Sequence, residues 1–350
     1  MKTPRLLFAL CLALGLPRVA RADEGAWNNQ GLPNGMVRAL AADPVDPLSV
    51  YASVLSEIGN PGGTFKSVDG AQSWTRSDDS QPAALLVDPT DPSTVYAGGD
   101  GIRRSFDAGM TWNPANEGLS CRFVGALAID PESPSTLLAG TAFILHSPEQ
   151  CGGLFRSVDA GSIWSEVLVR LIGGIAVDPR NDQNIVAIQD GAGGGDSEIT
   201  RTVDGGASWT FVVAGPPDPI LVLADPATAN LFYVGSDGVW VSRDGGVTFQ
   251  NTGLAGHLVT ALAIDPTDPA VLYAGTQLDG VWRSLDGGQS WNEFDVGLTN
   301  RSVTALAITA TGTRIYAGTN GGGVFEYEHP TRRATVDRGP RPTRELPPRP

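Results

Sequence analysis

"SFDAGMTW", residues 105–112, decides the fold, because the chain keeps returning to it. "SVDGAQSW" occupies 67–74, "SVDAGSIW" 157–164, "TVDGGASW" 202–209, "SRDGGVTF" 242–249 and "SLDGGQSW" 284–291. An octapeptide that keeps its Asp through six copies is either a set of chemical sites or a building element. The rest of the chain points to the second.

A second motif runs out of phase with the first. It reads "ALAADPVDPLSVYA" at 39–52, "ALLVDPTDPSTVYAG" at 84–98 and "ALAIDPESPSTLLAG" at 126–140. "GIAVDPRNDQNIVA" (174–187), "VLADPATANLFYVG" (222–235) and "ALAIDPTDPAVLYAG" (261–275) continue it, and "ALAITATGTRIYAG" (305–318) is a seventh copy without Asp-Pro. Successive Asp-Pro aspartates are 45, 42, 48, 47 and 40 residues apart. A period of that size in a strand-rich chain is the period of a propeller blade. Each repeat divides into four strands. Strand A is apolar almost throughout and ends at Asp-Pro, since Pro cannot donate to a ladder; such a run is expected where both faces are covered. Strand B is of the "LYAG" type, strand C is of the "GVWRS" type, and strand D starts at the aromatic that closes the octapeptide. Repeat 7 stops after strand C, at "GVFEYE" (323–328), while "GAWNNQGL" (25–32) resembles the strand D segments elsewhere. The expected fold is therefore all-β: a single seven-bladed β-propeller over 23–328, four antiparallel strands per blade, closed by the N-terminal strand joining the last blade.

The octapeptides resemble the Asp-box, or BNR repeat. Ser105, Asp107, Gly109, Thr111 and Trp112 match S-x-D-x-G-x-T-W at every fixed position. The resemblance implies that the box folds the turn between strands C and D. Physical chemistry agrees: the Asp can accept from backbone N–H groups of its own turn, the Gly takes positive φ, and the aromatic enters the core. Asp69, Asp107, Asp159, Asp204, Asp244 and Asp286 are thus expected to be structural.

Both ends of the chain read differently from the body. Lys2 and Arg5, the apolar run "LLFALCLALGL" and the small Ala20 and Ala22 make 1–22 a secretory signal peptide, giving a secreted or periplasmic protein with no transmembrane segment. Residues 329–350, with six Arg and six Pro, read as a disordered tail. Setting aside the four basic residues of 1–22 and the tail's excess of four positive charges, the −14 of the whole chain becomes −22 for 23–328. A body so acidic excludes nucleic acid as a partner. Cys121 and Cys151 remain after cleavage of the signal and are expected to be bonded to each other in an oxidising compartment. His146, His257 and His329 are too scattered for a transition-metal site, and no cofactor or metal is expected. A monomer is expected.

The B–C and D–A connections share one face and carry the length variation, in "SEIGNPGG" of repeat 1, "TAFILHSPEQCGG" of repeat 3 and "QDGAGGGDSE" of repeat 4. Functional loops on a rigid scaffold look like this. Arg122, Arg170, His257 and Arg301 recur just before strand A, with Arg38 slightly deeper, and could ring the channel mouth as an anion site. Pairing with surface carboxylates is the plainer alternative. Glu57, Glu149, Asp190, Asp196 and Glu198 lie in the long loops and are the catalytic candidates for a glycosidase, although nothing in the sequence picks a pair. Among families sharing the repeat are sialidases, xyloglucanase-type hydrolases and photosystem II assembly-factor-like propellers. A sialidase needs a recruited Tyr nucleophile, whereas Tyr51, Tyr96, Tyr233, Tyr273 and Tyr316 are five copies of one strand B position. The expectation is therefore an exported, non-catalytic module that binds a protein or glycan through its loop face. A glycoside hydrolase using loop-face carboxylates is the alternative.

Overall fold

In the computed structural model, residues 25–330 are described except 33–34, 58–60, 142–151, 191–195 and 213–214. The chain from Val37 to Asp78 shows how one repeat folds. Strands Val37–Ala42, Val50–Val54, Gly63–Ser67 and Thr75–Asp78 pair in sequence order, each antiparallel to the last. They match the A, B, C and D strands read from the sequence. The described residues form five such four-stranded sheets and one of six strands, with every pairing antiparallel. The larger sheet holds repeats 5 and 6. There Phe232–Ser242 runs B into C, and Gln250–Ile264 runs D of repeat 5 into A of repeat 6.

Strand B, rather than strand A, is the one buried on both faces. Val50–Val54, Leu137–Thr141 and Leu272–Thr276 are buried at every position, and Tyr51, Tyr96, Tyr233, Tyr273 and Tyr316 are essentially inaccessible. Strand A alternates: in Val124–Ile129, Val124 and Ala126 are buried and the residues between and after them only partly. Its apolar character has another cause. Leu40, Leu86, Leu223, Leu262 and Leu306 face a shared cavity of about 410 Å³ toward the Asp-Pro ends of the A strands. Each A strand contacts that of the next repeat, and Val303–Ile308 of repeat 7 also lies against Val37–Ala42 of repeat 1. Thr304 Oγ1 donates to the Val37 carbonyl at 2.6 Å across that junction.

The last sheet takes its fourth strand from the start of the chain. Asn28–Asn29 pairs with Gly323–Glu328, with Asn28 opposite Glu326. Trp27 is buried, its indole N–H donating to the Phe294 carbonyl at 2.7 Å and its ring edge-on to Phe294. Burying a side chain of this size contributes about 3 kcal/mol. The segment expected to begin the tail is partly in the fold: His329 bonds the Tyr273 hydroxyl at 3.0 Å and lies edge-on to Tyr327.

The octapeptides form the C–D turns. Ser105 Oγ accepts from Gly109 N at 2.8 Å and donates to Asp107 Oδ1, which accepts from Thr111 N; Thr111 Oγ1 donates to Oδ2. The bond from the leading Ser or Thr to the Asp recurs in all six copies. Two consecutive residues, not one, take positive φ. Ala108 and Gly109 lie at 55° and 82°, and Ala71 and Ala160 are also in this left-handed region. The reversed carbonyl of the first is captured by the preceding repeat, where Tyr51 Oη and Lys66 Nζ donate to Ala108 O at 3.0 and 2.9 Å. Tyr96 and Arg104 do the same to Ala160 O. This explains why a base and a tyrosine recur in strands C and B.

The Asp-Pro aspartates form a second layer of turn bonds. Asp43, Asp88, Asp130, Asp178, Asp225 and Asp265 are all buried. Asp43, Asp88, Asp130 and Asp225 each accept from the backbone N–H groups two and three residues on. Asp178 also accepts Asn230 N at 2.6 Å, tying repeat 4 to repeat 5.

Candidate functional site on the loop face

The aspartates of the octapeptides are committed to their turns. Side-chain hydrogen bonds from Thr111, Ser208 and Ser290 hold Asp107, Asp204 and Asp286 at a pKa of about 2. Asp244 also reaches about 2, where burial opposes the shift and the Thr248 hydrogen bonds outweigh it. Ser73 lowers Asp69 and Ser157 lowers Asp159 in the same way. Carboxylates so held are poor proton donors and are not aimed at a ligand.

The strand B tyrosines are equally unsuited to nucleophilic work. Burial raises Tyr51, Tyr96 and Tyr316, and pushes Tyr233 up to about 12.

On the loop face the carboxylates differ in kind. Glu57, Asp196 and Glu198 are exposed, and Glu149 lies outside the described residues. Asp190 is half-buried where strand B of repeat 4, Asn181–Gln189, ends. Its backbone N–H donates to the Leu171 carbonyl at 2.9 Å. Its carboxyl group rests over Gly173, in the inner strand Ile172–Asp178; a Cβ at 173 would meet Asp190 Oδ1 at 2.4 Å. Only glycine leaves the carboxyl that berth. Burial pushes the Asp190 pKa up, the opposite direction from the octapeptide aspartates. Glu198 opens strand C of the same repeat, directly opposite Gln189, so the loop 190–198 begins and ends in carboxylates.

The proposed cation ring is mostly occupied by local partners. Arg301 is ion-paired with Asp295. His257 Nδ1 is 2.9 Å from Asp279 Oδ2, and its ring lies 5.0 Å from that of Trp282. His257 also sits within the continuous strand Gln250–Ile264 rather than in a loop. Arg38 donates to the Gln81 carbonyl at 3.2 Å, and burial lowers its pKa. Arg170 donates to the Val169 carbonyl at 2.8 Å, and Arg122 is exposed. Cys121 is buried beside strand A of repeat 3, and Cys151 lies outside the described residues.

The sequence reading missed the berth at Gly173 and the Asp295 partner of Arg301. The first carried little signal: repeat 3 also has a glycine, Gly125, at the position of Gly173, whereas repeats 1, 6 and 7 have Arg38, Thr260 and Thr304 there. Among the described residues, no helix is long and apolar enough to cross a membrane.

No protein-family model matches the chain. A curated xyloglucanase from Paenibacillus is 27% identical over 325 residues, covering 79% of this chain and 28% of that protein. The chain therefore spans a little over a quarter of that relative's length. Among solved structures, the GH74 xyloglucanase from Xanthomonas campestris superposes with a TM-score of 0.66 at 20% identity, over 87% of this chain and 54% of that one. YCF48 from Cyanidioschyzon merolae superposes with a TM-score of 0.63 at 15% identity, over 87% of this chain and 99% of that one. The fold is that of the β-propellers. The expectation of a non-catalytic binding module is overturned, because the sequence relatives are named as xyloglucanases. They favour the glycoside hydrolase that stood as its alternative.

Proposed function

We propose that this chain is a glycoside hydrolase acting on a β-glucan of the xyloglucan kind. The observation that carries the reading is its similarity to a xyloglucanase along 79% of its length. Asp190 serves as general acid: burial raises its pKa, and a carboxyl group shifted in that direction is the better placed to protonate the glycosidic oxygen as the bond breaks. Asp196 or Glu198, across the same loop, supplies the second carboxylate. Both are exposed. Their separation from Asp190 would set whether the reaction inverts or retains configuration.

The scaffold is read as a seven-bladed Asp-box propeller. Seven A–B pairs, the contact of the last A strand with the first and the N-terminal strand in the last sheet support that count. Residues 1–22 are read as an export signal, and Cys121 and Cys151 as a disulfide holding the long loop of repeat 3. The buried position of Cys121 supports the bridge.

The reading is tested by incubating the chain with xyloglucan, mixed-linkage glucan and cello-oligosaccharides and counting new reducing ends. Release of oligosaccharides is expected, with turnover lowered ~10²–10⁴-fold in Asp190→Asn and folding intact. A folded protein that leaves all three substrates uncut would refute it.

A further inference from the structure

Repeat 4 departs from the other repeats at one place on the outer rim. Two residues past the octapeptide aromatic, the equivalent positions hold Arg76, Pro114, Glu166, Asn251 and Glu293. Repeat 4 has Phe211 there, 48% exposed. This aromatic stands where the other repeats place a polar residue or proline. The neighbouring indole has also changed its bonding. Trp74, Trp112 and Trp164 donate across to the preceding strand D segment, at Gln30, Ser77 and Ala115. Trp209 donates instead to Gly206 O of its own turn. Trp291 also bonds its own turn, but its ring lies against Gly253 of the preceding repeat. Beside Trp209 the space between repeats stays open as a groove of about 400 Å³, within the ~300–1,000 Å³ typical of ligand pockets.

The groove runs between strand D of repeat 3 and strands C and D of repeat 4. Val167, Trp209 and Phe211 give it apolar surface, and Glu166 and Arg170 supply an acceptor and donors. An apolar surface flanked by a carboxylate and a guanidinium suits a pyranose ring, whose faces are C–H and whose edge is hydroxyl. The formal charge of −14 disfavours an anionic glycan.

We infer that this groove is a secondary subsite for one or two pyranose units of a neutral glucan chain. It lies between strand D of repeat 3 and strands C and D of repeat 4, with Arg170 one residue before Leu171, the acceptor of Asp190 N, and the inference rests on the β-glucan reading for its ligand. It would hold the polymer and raise its residence near the loop face without taking part in bond cleavage.

Binding of soluble xyloglucan is measured by calorimetry on the full chain in the Asp190→Asn background, which keeps the ligand intact. Phe211→Ala is compared with Phe106→Ala, a change at a similarly exposed aromatic outside the groove. Phe211→Ala is expected to weaken binding about 5- to 10-fold, as loss of one stacking aromatic does, and Phe106→Ala to leave it within 2-fold. Glu166→Gln should weaken it further when combined with Phe211→Ala. Equal affinity in the parent and Phe211→Ala overturns the subsite, whether or not the wild-type chain cuts glucan. Phe211-dependent binding with no cleavage supports the subsite while the hydrolase reading fails. Phe211-dependent binding of polygalacturonate in preference to xyloglucan overturns the assignment to a neutral glycan, and no binding of either overturns the subsite.

Discussion

Asp178 and Asp190 lie twelve residues apart, at opposite ends of one hairpin, and have opposite fates. Asp178 is buried at the Asp-Pro end, accepting from Arg180 N and Asn230 N. Asp190, at the loop end, is half-buried with its carboxyl over a glycine and its pKa raised. One end of the propeller uses carboxylates to close turns, and the other leaves one poised. The lesson is that an acidic residue's role follows from how many N–H and O–H donors point at it, not from its place in a motif.

Exchanging the two roles is the strongest test. Asp178→Ala leaves two backbone N–H groups without their acceptor and should cost about 3 kcal/mol of stability, read by denaturant unfolding. The matching change Asp190→Ala should leave stability equal or higher, because at neutral pH it removes a carboxylate whose ionisation burial opposes. A comparable loss in both would erase the distinction.

The pH response should split the two ends next. Asp107, Asp204 and Asp286 have folded pKa values lowered to about 2, against about 3.9 for an unfolded Asp. Their stabilisation is therefore complete above about pH 4 and lost as pH falls toward 2. Asp190 is shifted the other way, so general-acid activity should decline as pH rises through its raised pKa. The melting temperature and the rate of xyloglucan cleavage, followed from pH 2 to 8, should show stability falling on the acid side and activity on the alkaline side. Coincident curves would tie activity to unfolding alone.

The smallest effect concerns strain. Ala108 sits at φ 55°, a region that costs a non-glycine residue about 1 kcal/mol or more. Ala108→Gly should stabilise by about 0.5 kcal/mol, the relief of strain exceeding the added unfolded-state entropy. A destabilised variant would mean that the methyl group's packing outweighs the backbone term.

Most of the strand pattern was legible because repetition writes it several times over. The four-strand parse of residues 37–78 and the N-terminal strand beside Gly323–Glu328 both follow from the period. Strand A misled on burial, since an apolar run lining a shared cavity looks the same as one covered on both faces. The Asp-Pro aspartates were read as turn punctuation, although they are more deeply buried than the octapeptide aspartates. The site was scarcely legible. Asp190 gains its character from Gly173, 17 positions earlier, and Phe211 from an indole that bonds its own turn. Both depend on contacts made only in the folded chain, and a reading built on what recurs gives those no weight. The same habit favoured a non-catalytic module, because no tyrosine stood out.

The pairing of Asn28 with Glu326 sets an order of events in time. Among the described residues, the first strand is the partner of the last. At synthesis rates of about 5–20 residues per second, Asn28–Asn29 waits roughly 15–60 s for its neighbour. Throughout that interval repeat 7 lacks an edge and Trp27 lacks the Phe294 and Tyr327 rings that cover it. The last sheet is thus obliged to remain unfinished until its final strand is available.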